Sequence, residues 1–281
     1  MKRRTLKNVV MYILVLFTVG VFLVPLFFIV TTSVKSYADI MAGNPLFFTP
    51  TPENYFNVLF LNPTTIGFNF PNSLFNSLVI ALAATLGALA IGFPAAYATA
   101  RLGTGGGNLI SYIVSLRLLP PIIFALPLYL FFFKVSPELL IDSHAGMILI
   151  YATFNIPLSV LVLRSFIVDI PPELEESAMI DGCSRLGAML RVVLPLSAPG
   201  LIAIAILDYL AIWNEYLFAL IFTSQRAVMV NVSASLFVTA YAIRYGEIAA
   251  TVVIAMLPTI AFMLLVQRSL VKGLTLGAVK G

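Results

Sequence analysis

Residues 164–195 read RSFIVDIPPELEESAMIDGCSRLGAMLRVVLP and lie between two apolar stretches. The first 28 of these residues, 164–191, hold eight of the 28 charged residues in the chain (16 basic and 12 acidic). A plain connector between two apolar segments has no need for so many charges. The stretch therefore predicts a structured element of its own, set between helices that avoid water.

Two short helices joined by a glycine turn are predicted within this stretch. Positions 171 and 172 are both proline, which suits the first turn of a helix, and the acidic residues at 173, 175 and 176 would lie at the positive end of its dipole. Gly182 favours a left-handed helix end, and Ser184 can cap a second helix. The second helix is expected to carry one apolar stripe, formed by Leu186, Met189, Leu190, Val193 and Leu194.

The composition indicates an all-α polytopic membrane protein. Hydrophobic residues make up 60% of the 281 residues and charged residues 10%, whereas soluble domains carry roughly 25% charged residues. A water-soluble enzyme is therefore excluded. Because a spanning helix needs about 20 apolar residues, six transmembrane helices are predicted in a single domain, 1–281. They cover residues 9–31, 73–98, 109–133, 145–163, 200–222 and 248–267.

Two of these spans contain residues that predict special backbone features. In the second span, small residues recur every four positions, which lets helix backbones approach closely. These residues are Ala84, Ala88, Gly92 and Ala96. In the third span, Pro120, Pro121 and Pro127 predict an irregular helix, because proline cannot donate a backbone hydrogen bond.

The distribution of basic residues predicts the orientation. Eleven Lys and Arg residues flank the spans on the side of the N-terminus, and four lie on the other side. Because basic residues concentrate on the cytoplasmic side, both termini are expected in the cytoplasm. Residues 35–72 then form an extracytoplasmic loop, residues 164–197 a cytoplasmic loop, and residues 268–281 a cytoplasmic tail.

Two carboxylates lie inside the fifth predicted span. Asp208 and Glu215 are seven residues apart, which would put them on one face of a continuous helix, and each costs about 2.5–3.5 kcal/mol at mid-bilayer. That face is therefore not expected to meet lipid. It either lines a translocation pathway, together with Trp213 and Asn214, or ties helices together by hydrogen bonds, and the residues alone leave both possibilities open. Arg117 in the third span is a candidate partner for either acid.

The charged stretch is similar to a known signature. Glu176-Ser177-Ala178, followed by Gly182 and then by Leu194-Pro195, resembles the EAA motif in permease subunits of binding-protein-dependent ABC importers. Ser177 stands where the family has alanine, and it is also small. The resemblance implies a type I importer fold in which residues 164–197, here named the EAA loop, couple the permease to an ATPase. The coupling residues that it implies are Glu175, Glu176, Ser177, Ala178, Asp181, Gly182, Leu194 and Pro195.

Other segments resemble the carbohydrate branch of this family. They are residues 52–55, 93–97, 117–121 and 213–215, and the tail 273–281, which is similar to that of the smaller permease subunit of maltose-type importers. The resemblance implies import of a di- or oligosaccharide, or of a related polyol or glycoside, across the cell inner membrane. It also implies the partners: a second homologous permease, two ATPase subunits, an extracytoplasmic solute-binding protein and membrane lipid.

Missing sequence features limit the chemistry of the chain. No Gly-Lys pair occurs, so the phosphate-binding P-loop is absent. The chain is expected to be no enzyme and to bind no cofactor, with ATP and Mg held by the partner ATPase. A single cysteine and a single histidine predict no metal site, and nucleic acid is not an expected partner.

The alternative function is a secondary transporter driven by an ion gradient. Asp208 and Glu215 would permit that chemistry, because carboxylates inside a membrane domain can carry protons or bind cations. Against it stand the number of spans and the lack of a clear internal repeat, which many secondary transporters have.

Overall fold

The computed structural model describes residues 2–44, 46–60, 69–238 and 243–277, and within them the chain is mainly helical. The helices, in chain order, are α1 (Lys2–Ser33), α2 (Tyr37–Met41), α3 (Glu53–Phe60), α4 (Phe70–Arg101), α5 (Gly106–Leu118), α6 (Ile122–Val135), α7 (Pro137–Leu140), α8 (His144–Val168), α9 (Glu173–Ile180), α10 (Arg185–Ala188), α11 (Leu194–Leu196), α12 (Ala198–Asn214), α13 (Leu217–Phe222), α14 (Val230–Ser235) and α15 (Tyr245–Gly277). A π-helical turn, Met189–Val193, separates α10 from α11.

The structure agrees with six membrane spans if each of two bent helix pairs crosses as one span. Four segments are by themselves long and apolar enough to cross: α4, α8, Val10–Ser33 of α1 and Tyr245–Leu264 of α15. The two bent pairs are α5 with α6, and Arg185–Leu196 with α12. The predicted fold class, an all-α polytopic membrane protein, is confirmed.

The predicted third span, 109–133, consists of two helices rather than one. The chain forms two helices there, α5 and α6, with an angle of 94° between them. Leu119 has an extended backbone (ψ 129°), and the prolines at 120 and 121 lack the N–H groups that would continue the helix. Pro127 lies inside α6 without ending it. The predicted irregularity is therefore confirmed, and it is concentrated at the first two prolines.

The predicted fifth span, 200–222, is not one helix either. α12 ends at Asn214, Glu215 has an extended backbone, and α13 begins at Leu217. The helix breaks here because the Glu215 carboxylate accepts the N–H groups of Leu217 and Phe218, which a continuous helix would pair with carbonyls. Asp208 and Glu215 therefore do not share one face of one helix, which corrects the interpretation drawn from their spacing.

The last helix is longer than predicted. α15 continues past residue 267, the predicted end of the sixth span, and reaches Gly277. Residues 278–281 of the predicted tail lie outside the described residues, as do residues 45 and 61–68 of the predicted loop 35–72.

The chain divides into two compact units. The first consists of Met1–Pro71 and Ser233–Leu257, and the second of Asn72–Val232 and Pro258–Gly281. In the first unit, the apolar length of α1 is exposed on every side. The loop that follows α1 is folded, because the Asn54 side-chain amide donates to the carbonyl oxygens of Ser33 (3.0 Å) and Lys35 (2.7 Å).

Helices α4 and α8 pack closely in the second unit. The three alanines of the predicted small-residue stripe are fully buried. A Cβ atom placed on Gly92 would lie 2.7 Å from the Cβ of Ser159, whereas one placed on Gly87 would lie at an ordinary contact distance, 3.5 Å, from the Cβ of Ala152. The stripe is therefore a helix–helix contact, as predicted.

Candidate functional site

The EAA loop contains two short helices whose ends are capped as the sequence predicts. α9 begins directly after the second proline. Gly182 has a φ of +92°, in the left-handed region, and the N–H of Cys183 donates to the carbonyl of Ala178 (3.0 Å), which closes the end of α9. The Ser184 hydroxyl accepts the N–H of Gly187 (3.1 Å) and caps α10. The turn between the two helices is thereby fixed in shape.

Most of the signature residues of the EAA loop lie on its surface. Glu176, Ser177, Asp181, Gly182 and Pro195 are exposed, and Ala178 and Leu194 are half-buried. Beside them, Ile180 is 85% exposed and Leu186 is 62% exposed. Exposed apolar side chains rimmed by charged residues are typical of a protein contact surface.

Glu175 differs from the other signature residues because it is buried, with 4% of its surface exposed. Tyr97 Oη donates to its Oε2 (2.8 Å), and Arg101 Nε donates to its Oε1. Arg101 also donates through Nη2 to the carbonyl of Ile170 (2.6 Å). Both oxygens of this carboxylate therefore bind the end of α4, whereas its neighbour Glu176 faces outward.

The second helical segment of the EAA loop does not have the single apolar stripe that was predicted. Met189 and Val193 are buried, while Leu186 and Leu190 are exposed. The π-helical turn after α10 explains the difference, because its wider helical repeat moves the following side chains around the axis. The buried pair joins a core cluster that also contains Ile204 of α12.

A cavity of about 610 Å³ lies between α5, α6, α8 and α12. Its wall is mostly apolar, and its polar members are Arg117, Tyr151, Thr153, Asn155 and Glu215. Arg117 is exposed, and it takes part in none of the ion pairs found within the described ranges. Its charge does act electrostatically on Asp208. An apolar cavity with a few convergent polar groups is typical of a ligand site.

Glu215 lines this cavity and also caps the helix that follows it. Its Oε1 accepts the N–H groups of Leu217 (2.9 Å) and Phe218 (3.2 Å). The carboxylate thus lies at the N-terminus of α13, where the helix dipole favours a negative charge. Tyr151 Oη donates to its Oε2 (2.9 Å). The residue therefore has both properties that the sequence left open, a place on the cavity wall and a tie between helices.

The other three candidate pathway residues do not line the cavity. Asp208 is fully buried, and Ser159 Oγ donates to its Oδ2 (2.7 Å). Trp213 is buried and stacks on Tyr209, with 5.6 Å between ring centroids and 24° between ring planes. Asn214 is exposed, and its side-chain amide donates to the backbone carbonyl four residues earlier (2.8 Å). Their contacts in the structure are packing contacts.

Asp142 is an anchoring residue that the sequence analysis missed. It is buried with a φ of +48°, and its carboxylate accepts the N–H groups of Ser224 (2.9 Å), Gln225 (3.0 Å), Arg226 (2.9 Å) and Ala227 (3.1 Å). Burial alone would raise the pKa of this carboxyl group, but the backbone hydrogen bonds outweigh it and lower the pKa of Asp142 to about 2. No local pattern marks the residue, because its partners follow it by 82–85 positions.

Comparisons with known proteins agree with this architecture. Residues 88–276 match the family model of the binding-protein-dependent transport system inner membrane component. The trehalose/maltose transport system permease protein MalG of Thermococcus litoralis is 34% identical over 285 residues, which cover 100% of both chains. The trehalose transport system permease protein SugB of Mycobacterium tuberculosis is 35% identical over 268 residues, which cover 94% of each chain.

A solved structure shares the fold. It belongs to a bacterial ABC transporter involved in the import of the acidic polysaccharide alginate, and it matches with a TM-score of 0.75 and 21% identity, over 95% of this chain and 98% of that chain. The likeness extends over almost the full length of both chains. The chain therefore belongs to the family of binding-protein-dependent transport system inner membrane components and is a membrane permease with the type I importer fold.

Proposed function

We propose that this chain is one permease of an ATP-driven importer for sugars, in the class of di- and oligosaccharides and related polyols and glycosides. A second homologous permease completes the pathway, two ATPase subunits bind ATP and Mg, and an extracytoplasmic binding protein delivers the sugar. Both termini lie in the cytoplasm. Two relatives support the sugar class, because they are named as permeases of trehalose/maltose and trehalose transport systems. The excess of basic residues on the side of the termini supports the orientation.

The observation that carries the proposal is the exposed end of the EAA loop. Ile180 and Leu186 flank a turn whose shape is set by Gly182. A rigid, partly apolar tip suits insertion into a groove of another protein, because burial of its apolar surface stabilises the contact. We therefore assign this tip to ATPase docking and Glu176 to a charged contact at its edge.

The cavity beside α12 supplies the pathway in this proposal. Its exposed guanidinium, Arg117, and its carboxylate, Glu215, offer hydrogen bonds to a polyhydroxylated solute. Transport driven by an ion gradient has less support, because Asp208 does not line the cavity and is held by Ser159. In this proposal Asp208 holds α12 against α8 through its hydrogen bond with Ser159.

The first test alters the backbone conformation of the turn at Gly182 and leaves the neighbouring side chains unchanged. A Cβ atom at position 182 meets no atom within 4 Å, so Gly182→Val acts through backbone strain, about 1–2 kcal/mol in the left-handed region. Gly182→Asn is the matched control, because asparagine adopts this region more readily. We expect Gly182→Val and Glu176→Lys to reach the membrane but to lose sugar uptake several-fold, with Gly182→Asn close to the unmodified chain.

Disulfide cross-linking tests whether the tip of the EAA loop lies in a groove of the ATPase. Ile180→Cys, on a Cys183→Ser background, is combined with single cysteines placed along the ATPase groove. We expect a disulfide in the assembled complex and none after Gly182→Val. Normal cross-linking and normal uptake in both Gly182→Val and Glu176→Lys would reject the docking assignment. A thermal-shift screen of the cognate binding protein against sugars then identifies the solute.

A further inference from the structure

Glu175 lies in a buried, hydrogen-bonded contact of the second unit. Its neighbours on α9, Glu173 and Glu176, are exposed, but Glu175 is buried. A buried carboxylate is unfavourable unless opposite charge and hydrogen bonds compensate it. Among the described residues, the side chains that donate hydrogen bonds to this carboxylate are Tyr97 and Arg101, both on α4.

Arg101 holds two points of the EAA loop at once. Its Nε binds Glu175 on α9, and its Nη2 binds the carbonyl of Ile170, three residues before α9 begins. The planar guanidinium fixes the relative direction of these two hydrogen bonds. α9 therefore cannot turn about its own start without breaking at least one of them.

The surroundings of this contact are apolar. Ile170 and Tyr97 belong to a core cluster that also contains Leu163 of α8 and Val193 of the π turn. Hydrogen bonds to charged groups are stronger in such low-dielectric surroundings. The Glu175–Arg101–Tyr97 contact thus joins the EAA loop to α4 at a place from which water is largely excluded.

We propose that Glu175 is a positioning residue that fastens α9 to the end of α4, so that a movement imposed on the EAA loop also moves α4. The proposal rests on the proposed function, in which an ATPase imposes that movement. Glu175 is thereby separated from the exposed signature residues: Glu176 meets the partner, and Glu175 passes the displacement inward. α4 carries it onward, because its Gly92 packs directly against Ser159 of α8.

A distance measurement tests the connection directly. Spin labels are placed at Glu173→Cys on α9 and at Leu102→Cys just after α4, both exposed positions, on a Cys183→Ser background in the assembled complex. We expect the same label separation with and without trapped ATP. With Glu175→Gln added, we expect the separation to shift or broaden when ATP is trapped. A separation that changes with ATP while Glu175 is intact would overturn the proposal.

A second measurement separates coupling from assembly. Uptake and ATP hydrolysis are measured in proteoliposomes with the binding protein and its sugar. We expect Glu175→Gln to co-purify with its partners and to hydrolyse ATP, with several-fold less sugar imported per ATP, while Glu173→Gln on the same helix matches the unmodified chain. Equal loss of uptake and hydrolysis, or no loss of either, would contradict a positioning role.

A milder variant covers the case in which Glu175→Gln does not assemble. Tyr97→Phe removes only the hydroxyl that binds Glu175 Oε2 and leaves the Arg101 contact in place. We expect normal assembly and a smaller loss of sugar imported per ATP, and an unchanged ratio would overturn the proposal. Failure of the unmodified complex to couple ATP to uptake would reject the proposed function instead, and the label separation would still report on the contact.

Discussion

At the scale of single residues, Asp142 shows how one carboxylate can hold a whole segment. Backbone N–H groups of residues 224–227 converge on it, and the Ser224 hydroxyl is 3.1 Å from its Oδ2. Only the charged form accepts all of these bonds without placing a proton among the donors. Asp142 is therefore a candidate for a strong dependence of local stability on pH.

The pKa of Asp142 gives the direction of that dependence. Its value in the folded chain, about 2, lies below the ordinary 3.8, so the charged group stabilises the fold above pH 4, by about 2 kcal/mol. This contribution is lost as the pH falls from about 4 towards 2. We expect pepsin at pH 4 to cut residues 223–230 faster in Asp142→Asn than in the unmodified complex.

The comparison at lower pH makes this test specific. At pH 2 the two proteins are expected to be cut at more similar rates, since the carboxyl group is then about half protonated in the folded chain and almost fully protonated in the unfolded chain, so that most of its stabilising contribution is lost. Glu138→Gln, at an exposed position nearby, is the control and is expected to have no effect at pH 4. Equal cleavage of Asp142→Asn and the unmodified chain at pH 4 would show that the segment does not depend on this charge.

Residues whose role is local could be predicted from the sequence, and residues whose role depends on distant partners could not. Gly182 and Ser184 act on backbone within a few positions, so the pattern around them predicts their conformation. The burial of Glu175 depends on Arg101, 74 positions earlier. The sequence assigned the same coupling role to Glu175 and Glu176, because only the packing of α4 distinguishes them.

At the scale of helices, the packing of α4 against α8 sets a limit on side-chain size. Gly92→Ala would bring two Cβ atoms to 2.7 Å, whereas Gly87→Ala gives an ordinary 3.5 Å contact. We expect Gly92→Ala to destabilise the assembled complex by about 1–3 kcal/mol, as overpacking in a core does, and Gly87→Ala to have little effect. Thermal unfolding midpoints in detergent measure both, and equal midpoints for the two variants would contradict the close approach.

The cavity face of α12 makes a second prediction at this scale. Ala211 is exposed and lines the cavity, whereas Ile204, two turns earlier on the same helix, is fully buried and lies away from it. On a Cys183→Ser background, Ala211→Cys is expected to react with a polar thiol reagent, and Ile204→Cys and Asp208→Cys are expected to stay unreactive. Rapid labelling at 208 with none at 211 would show that water reaches α12 beside Asp208 and not through the cavity.

Helix positions were predictable because long apolar runs have few alternatives to crossing a membrane. The breaks within the third and fifth spans were harder to predict than the positions of the spans. The one at residues 119–121 has a local cause in two prolines, and the sequence predicts it as an irregularity. The one at Glu215 arises from a carboxylate that accepts the N–H groups of its own downstream neighbours, and no residue there is a strong helix breaker.

At the scale of the whole molecule, α1 provides the clearest evidence that the chain acts with others. None of residues 10–32 in its span is buried in the structure. We expect the chain expressed without its partner permease to be degraded, with several-fold lower membrane levels than on co-expression, since unassembled subunits are removed by proteases. Immunoblots of the tagged chain measure this, and the partner permease expressed alone is the control. A stable, monodisperse and transporting chain on its own would reject the heteromeric assembly.

The break between α5 and α6 also determines which solvent can lie beside it. Leu118, Leu119 and the two prolines are all exposed. The helix is interrupted at Leu119, whose backbone is extended, and the carbonyls of Pro120 and Pro121 accept the N–H groups of Ile123 and Phe124. Hydrocarbon chains offer no hydrogen bonds, so irregular backbone at membrane depth is tolerated only beside protein or water. The exposed guanidinium of Arg117 likewise needs protein or water beside it, because a charged group is costly in hydrocarbon. We therefore expect acyl chains to be excluded from the break between α5 and α6. A quencher dissolved in the lipid should leave a fluorophore at position 119 bright while it quenches one on α1.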